Sequence, residues 1–255
     1  MSKVFDVYAE YYDLLYQDKC YKQEVDYVSG LLEDNGVKSG AILELGSGTG
    51  KHAEEFAKIG FNMHGVDLSP VMVKKANQRK KDNFISQLQF EIGDVRSYRA
   101  DKKFDAVISL FHVMSYQIKN EDIVAMFETA AHHLKTGGVF IFDYWYGPGV
   151  LTSPPEVRIK RLENENIEML RLAEPTMYVN NNIVDVNYSV QVKRKLTEGD
   201  AITEFKEQHK MRYLFVPELI QLCQEYFVLK ESFSWLRKTS PDLSDWLAVS
   251  VFIKK

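Results

Sequence analysis

Ala41-Ile42-Leu43-Glu44-Leu45-Gly46-Ser47-Gly48-Thr49-Gly50 is the stretch whose reading decides the fold. Ala41 to Leu45 is a short apolar run that reads as a buried strand. Glycines at 46, 48 and 50 then let the backbone turn sharply into a helix over Lys51 to Ile59. Strand, glycine turn and helix N-terminus together present free backbone N–H groups, with no β-carbons in the way, to a polar or charged ligand. The spacing narrows that ligand. A dinucleotide fingerprint has the form G-x-G-x-x-G, whereas these glycines give G-x-G-x-G, with Glu44 two residues before the first. A carboxylate at the strand end repels a pyrophosphate but attracts an ammonium or sulfonium, directly or through water. The loop suits a cationic cofactor.

Two downstream acids extend the pattern. Phe61 to Val66 reads as a second strand ending at Asp67, where a ribose-binding acid belongs in such folds. Ser69 is a plausible N-cap and Pro70 a plausible first residue of the next helix. Leu88 to Ile92 reads as a third strand, ending in Gly93-Asp94-Val95. The run Glu44-Leu45-Gly46-Ser47-Gly48-Thr49-Gly50 resembles the first motif of the S-adenosylmethionine-dependent methyltransferases with a Rossmann-like sheet. That resemblance implies that Asp94 takes the exocyclic amine of adenine. It also extends the expected cofactor-binding set to Tyr21, Leu68, Met72, Gly93, Val95 and Leu110, beside Glu44, Gly46, Ser47, Gly48, Gly50 and Asp67.

Composition sets bounds. The chain has 255 residues, 45% hydrophobic and 27% charged, enough for one sizeable α/β domain with an elaboration. A net charge of −4 argues against a nucleic-acid partner, which usually meets a basic field. Cys20 and Cys223 are far apart and have no metal-ligand spacing, so no disulfide framework or metal site is expected. Cys223 falls in an apolar helical pattern as a core residue. Polar Ser2 and Lys3 follow Met1, and no apolar run reaches the roughly 18 residues of a membrane span. The expectation is a cytoplasmic protein without membrane contact.

Residues 4 to 20 are dense in aromatics (Phe5, Tyr8, Tyr11, Tyr12, Tyr16) with Asp6, Glu10 and Asp13 between them. They read either as a short amphipathic helix packed on the sheet or as a lid whose rings face a sulfonium. Tyr21 to Asp34 reads as a helix stopping near Gly36. Phe104 to Leu110 is the fourth strand, with Phe111-His112-Val113-Met114-Ser115-Tyr116 at its carboxyl end, where reactive groups sit in a doubly wound sheet. His112 there is either a base toward an amine or hydroxyl nucleophile, or a buried histidine bonded to backbone. Glu121 to Leu134 reads as a helix ended by Gly137-Gly138, with His132 and His133 as solvated or capping groups. Val139 to Phe142 is the fifth strand, opening into Asp143-Tyr144-Trp145-Tyr146.

Residues 150 to 212 change character. Val184, Val186, Tyr188, Val190 and Val192 alternate with polar residues, the period of a half-buried antiparallel strand. Thr197-Glu198-Gly199-Asp200 supplies a hairpin turn, and Ala201 to Arg212 returns. His209 and Arg212 on the returning strand are candidates to meet an anionic part of a substrate, since arginine holds a phosphate by two bonds. Pro217 to Phe227 reads as the last helix, and Phe227 to Trp235 and Trp246 to Ile253 as closing strands. The whole is an α/β protein: a doubly wound, seven-stranded, mostly parallel sheet with a small antiparallel β insert. Residues 1–149 and 213–255 form the Rossmann-like domain with an N-terminal lid, and 150–212 the insert, as a substrate roof or a contact in a homodimer.

Tyr12-Asp13-Leu14-Leu15-Tyr16, Ser109-Leu110-Phe111 to Tyr116, and the aromatic Asp143-Tyr144-Trp145-Tyr146 resemble, more loosely, the sugar-nucleotide N-methyltransferases that dimethylate amino-deoxysugars. That family tends to have Glu-Pro-Trp-Trp where this chain has Asp143 to Tyr146, and small residues where it has His112. The resemblance implies S-adenosyl-L-methionine as cofactor, S-adenosyl-L-homocysteine as product, and a small-molecule acceptor such as a nucleotide-linked amino-deoxysugar. Tyr16 and His112 are then the expected catalytic groups, and Tyr12, Tyr116, Trp145, Tyr146, His209 and Arg212 the expected substrate contacts. The alternatives are methylation of a small glycine-type amine, with Arg212 on its carboxylate, and a cofactor-binding module without catalysis. The absence of Asp/Asn-Pro-Pro-aromatic after the fourth strand counts against methylation of nucleic-acid bases.

Overall fold

The computed structural model describes residues 8–195 and 202–255. The strands are β1 (Ala41–Leu45), β2 (Asn62–Asp67), β3 (Leu88–Ile92), β4 (Phe104–Ser109), β5 (Leu134–Trp145), β6 (Arg158–Glu163), β7 (Ile167–Tyr178), β8 (Ile183–Arg194), β9 (Ile202–Arg212), β10 (Phe227–Ser234) and β11 (Leu247–Lys254). The helices are α1 (Tyr8–Leu15), α2 (Tyr21–Asp34), α3 (Lys51–Lys58), α4 (Pro70–Asp82), α5 (Asn120–His133), α6 (Gly147–Thr152) and α7 (Val216–Cys223). Seven strands form one sheet in the order β10-β11-β5-β4-β1-β2-β3, in which only β11 runs against its neighbours. The chain leaves β1 for β2 on one side and later returns to β4 on the other. The crevice at the carboxyl ends of β1 and β4 is therefore the switch point where such sheets bind ligands.

Both faces of this sheet are covered, which is why its central strands are apolar runs rather than alternating ones. Val25, Leu32, Phe56 and Val73 of α2, α3 and α4 pack on Ile42, Ile108 and Ile141. On the other face Ile123, Phe127 and Leu219 of α5 and α7 pack on Phe140, Phe142 and Phe252. Ser69 caps α4 as expected, its hydroxyl accepting from Met72 N at 3.3 Å, with Pro70 as the first helical residue. Cys223 is buried in the α5/α7 core, and Cys20 is exposed ahead of α2.

Two boundaries differ from the sequence reading. Gly137 and Gly138 do not end a helix: α5 stops at His133 and β5 starts at once. Phe104 pairs with Leu134 and Ala106 with Val139, so Lys135 to Gly138 bulge from the ladder, with Gly137 at φ +79°. His133 is consequently not solvated. Its Nδ1 donates to Thr129 O (2.8 Å), its Nε2 accepts from Ala100 N (2.8 Å), and burial lowers its pKa to about 4. The last helix is also shorter than expected, because Phe227 pairs with Lys254 as the first residue of β10.

The second sheet is β6-β7-β8-β9, antiparallel throughout. Met169 and Val190 on its inner face pack against Tyr11 and Leu15 of α1. Val184 joins Val150 of α6 and Tyr213 in a separate cluster flanked by Trp145 and Trp246. The expected hairpin turn Thr197 to Asp200, with Phe5, Asp6 and the side chains of Tyr8 and Glu10, lies outside the described residues.

Candidate active site

The glycine loop turns on left-handed backbone at Gly46 (φ +80°), Gly48 (+53°) and Gly50 (+77°). Gly46 N and Ser47 N donate to Val66 O at 2.8 and 2.9 Å, which ties the loop to the end of β2. Asp67 completes the tie: one carboxylate oxygen accepts from Gly48 N (2.8 Å) and the other from Ser69 N (2.9 Å). A β-carbon on Gly46 would lie 2.5 Å from Val113, whereas one on Gly48 would meet nothing within 4 Å among the described residues. The space over Gly48 is thus left to a ligand. Gly48→Ala is expected to cost only about 1 kcal/mol of stability through its positive φ. It should weaken cofactor binding about tenfold or more, as read by calorimetry beside a thermal melt.

Behind the loop, Glu44 is 1% exposed. Burial, and secondarily the Asp67 carboxylate, raise its pKa to about 8. His52 Nδ1 of α3 lies 3.8 Å from one of its oxygens, and His52 Nε2 is bonded to Glu24 of α2 at 2.7 Å. The other Glu44 oxygen, Ser47 Oγ and Tyr21 Oη are buried without a hydrogen-bond partner among the described residues. Asp67 is raised as well, by burial working against the two backbone bonds it accepts.

At the ends of β2 and β3, Leu68 and Ile92 are 60% and 59% exposed, an apolar pair suited to a flat ring. Ile92 faces Asp67 in the ladder and escaped the sequence reading, where it was only a strand end. Asp94 is held by Arg96, whose guanidinium reaches it at 2.6 Å and also pairs with Asp122. Its bond to Arg96 holds the Asp94 carboxyl below its ordinary range. Gly93 N donates to Asp67 O at 3.0 Å. Met72, Val95 and Leu110 are buried and back the site with apolar surface.

Beyond β4, Phe111 and His112 are both left-handed (φ 68° and 64°), a strain on the order of 1 kcal/mol or more for each. Asp143, 1% exposed at the end of β5, holds the turn: both its oxygens accept from His112 N at 3.2 Å. Oδ2 also lies 2.6 Å from the ring Nδ1, a close contact without hydrogen-bond alignment. Asp143 was legible only as the opening of an aromatic loop, and its pairing with His112 was not. Trp145 lies 6.4 Å from the His112 ring between centroids, and Tyr146 packs on the core behind it. Tyr12 of α1 and Tyr16 in the turn just after it close over Phe111, the Tyr16 ring perpendicular to it at 4.9 Å.

The insert adds Tyr188 and His209 above Tyr116, whose hydroxyl lies 2.7 Å from His209 Nδ1. Arg212 departs from the sequence expectation. Its guanidinium pairs with Glu218 of α7 and donates to Asn120 Oδ1 (2.7 Å) and Ile118 O (3.3 Å), so it brackets the insert to the main sheet's helices instead of clamping an anion. Strand parity explains the difference, since His209 and Arg212 leave β9 on opposite faces.

Residues 42–138 match the family model described as "Methyltransferase domain". The chain is similar to the dTDP-3-amino-3,4,6-trideoxy-alpha-D-glucopyranose N,N-dimethyltransferase of Streptomyces venezuelae, 32% identical over 143 residues, 55% of this chain and 58% of that protein. It is similar to the dTDP-3-amino-3,6-dideoxy-alpha-D-glucopyranose N,N-dimethyltransferase of Streptomyces fradiae, 25% identical over 205 residues, 80% of this chain and 76% of that protein. In three dimensions it is similar to an S-adenosylmethionine-dependent methyltransferase from Clostridium acetobutylicum, with a TM-score of 0.80 at 20% identity over 98% of both chains. Residues 42–138 thus form a methyltransferase domain, in the fold of the S-adenosylmethionine-dependent methyltransferases.

The cleft of this methyltransferase domain fits S-adenosylmethionine. The unpartnered Glu44 oxygen suits an ammonium, the backbone around the space over Gly48 a polar chain, Asp67 a ribose, and the Leu68–Ile92 pair a purine ring. Among the described residues no group of three His, Cys, Asp or Glu is placed to hold a metal ion, and no helix is long and apolar enough to cross a membrane.

Proposed function

We propose that the chain methylates the amino group of a small molecule, a nucleotide-linked amino-deoxysugar being the acceptor class that fits best. When bound, S-adenosylmethionine supplies a methyl carbon already activated by the sulfonium. The residues of the chain then have to seat the acceptor nitrogen about 3 Å from that carbon and keep it unprotonated. The observation that carries this reading is the aromatic cluster beyond the carboxyl ends of β4 and β5. Tyr12, Tyr16, Phe111, His112 and Trp145 gather there, Tyr188 and His209 of the insert cover Tyr116, and Asp143 and Glu207 are withdrawn from solvent beside the two histidines. Phenols and imidazoles suit a hydroxylated ring, and buried carboxylates suit a group that arrives as an ammonium. In this reading Tyr16 and His112 hold the nitrogen, and residues 150–212 serve as roof rather than dimer contact.

The two dimethyltransferase relatives support the amino-sugar class. The glycine-type alternative loses support, because Arg212, the residue it relied on, is engaged with Glu218 and Asn120.

Calorimetric titration with S-adenosylhomocysteine on the wild type and on Asp67→Ala tests the foundation. Micromolar binding that the substitution weakens at least tenfold, about 1.4 kcal/mol, is expected, because Asp67 also fixes Gly48. Release of S-adenosylhomocysteine during incubation with amino-deoxysugar nucleotides then tests the acceptor. No release with any amine would leave the non-catalytic module as the better reading.

A further inference from the structure

Glu207 and His209 leave β9 on the same face, two residues apart, and the His209 ring spans from one to Tyr116. Tyr116 Oη lies 2.7 Å from Nδ1, and Glu207 Oε2 lies 3.1 Å from Nε2. The side chains of His209 and Glu207 are 4% and 6% exposed. A Tyr116 hydroxyl that donates to Nδ1 leaves the imidazole proton on Nε2, facing Glu207. Tyr188, opposite Glu207 in the β8–β9 ladder, sets its ring edge-on to His209 at 5.0 Å. Arg171 lies over the Tyr188 ring, 4.9 Å from its centroid. Burial, then Tyr16, Tyr188, Glu207 and Asp67, keep Tyr116 from ionising. The phenol therefore gives up its proton only as it takes another. Tyr116 lies in the turn beyond the carboxyl end of β4, beside the crevice and beneath the insert.

We propose that Tyr116, His209 and Glu207 form a proton relay that carries the acceptor nitrogen's proton into the roof, so that the insert is a working part of the active site. The proposal rests on the amine reading above. As the acceptor N–H bond breaks, its electron pair stays on nitrogen as the attacking lone pair and its proton bonds to Tyr116 Oη. The original Tyr116 proton passes to His209 Nδ1, and Glu207 stabilises the imidazolium until it loses a proton to water. Tyr116 is the catalytic residue of the relay, and His209 and Glu207 act through it.

Long-range proton–nitrogen NMR on histidine-labelled protein with S-adenosylhomocysteine bound reads the His209 tautomer without any acceptor. Protonation at Nε2 is expected, with its proton signal shifted or lost in Glu207→Gln, and a Nδ1–H tautomer overturns the relay. With a dTDP-linked 3-amino-3,6-dideoxyglucose as probe, Tyr116→Phe is expected to lower kcat about a hundredfold. Its S-adenosylhomocysteine affinity should stay within twofold, and Glu207→Gln should shift the pH profile. A Tyr116→Phe kcat within threefold of wild type across the pH range also overturns the relay. Wild-type inactivity on every amino sugar counts against the amine reading, while the tautomer still decides the relay.

Discussion

Glu44→Gln is expected to weaken S-adenosylhomocysteine binding about a hundredfold at pH 8 while making the ligand-free protein more stable. Burial and the Asp67 carboxylate raise Glu44 to about 8 in the folded protein, against roughly 4.3 in an unfolded chain. Between those values the unfolded chain has lost a proton that the folded protein retains. Folding therefore carries no penalty from Glu44 below pH ~4, loses about 1.4 kcal/mol per pH unit above it, and levels off above pH ~8. The accumulated burden is about 5 kcal/mol. A glutamine removes it, though its buried amide returns roughly 1–3 kcal/mol of cost. A net gain of ~2–4 kcal/mol at pH 8 corresponds to a rise of several degrees in melting temperature for a chain of this size. A bound ammonium reverses the preference, since it favours the carboxylate. Binding to the wild type at pH 7 should thus release close to one proton, and affinity should rise with pH up to about 8. The variant should show neither effect, and should lose the roughly 2–3 kcal/mol of a charge-assisted bond. Calorimetry at pH 7 in two buffers of different ionisation enthalpy, with melts at pH 6 and 8, reads all three quantities. Proton-neutral, pH-independent binding by the wild type would sink the assignment of Glu44 to the ammonium.

What the sequence made legible was local. The glycine turn, the Ser69-Pro70 cap and the ends of β1 and β3 are set by residues within a few positions of one another, and all are found where periodicity and turn chemistry put them. The β8 alternation identified the second sheet for the same reason, because a strand with one wet face must repeat every second residue. The contacts that shape the proposed acceptor site are not of this kind. His209 meets Tyr116 across 93 residues and Asp143 meets His112 across 31, and no propensity connects positions so far apart. Arg212 shows how type alone misleads: an arginine beside a presumed pocket suggests an anion, yet Glu218 and Asn120 are nearer. The Lys135 to Gly138 bulge was read as a helix stop because a glycine pair serves both ends. Only the pairing of Leu134 with Phe104 distinguishes them.

Asp13→Ala is expected to cut turnover about a hundredfold while leaving the melting temperature of the protein nearly unchanged. The α1 helix has eight residues, too few to persist on its own, so its place over the cleft depends on what holds it. One carboxylate ties it to the cofactor side. Asp13 Oδ1 accepts from Thr49 Oγ1 in the glycine loop at 3.0 Å, and Oδ2 accepts from Arg79 of α4 at 2.8 Å, with Lys51 Nζ at 3.3 Å. On the other side Lys160 of β6 donates to Leu15 O at 2.6 Å, and Tyr11 and Leu15 pack into the insert. The helix thus bridges the glycine loop and the roof, and it carries Tyr12 and Tyr16 against Phe111. Each half-exposed contact contributes only about 1 kcal/mol. Losing three together, roughly 3 kcal/mol, shifts the balance between closed and open α1 by about a hundredfold. Because the main core lies elsewhere, global stability should scarcely respond. Limited proteolysis should cleave the 8–20 segment faster in the variant, with S-adenosylhomocysteine slowing cleavage in the wild type more than in Asp13→Ala. Turnover within threefold of wild type, with unchanged cleavage, would show that α1 is fixed by its apolar face alone and that Asp13 is no latch.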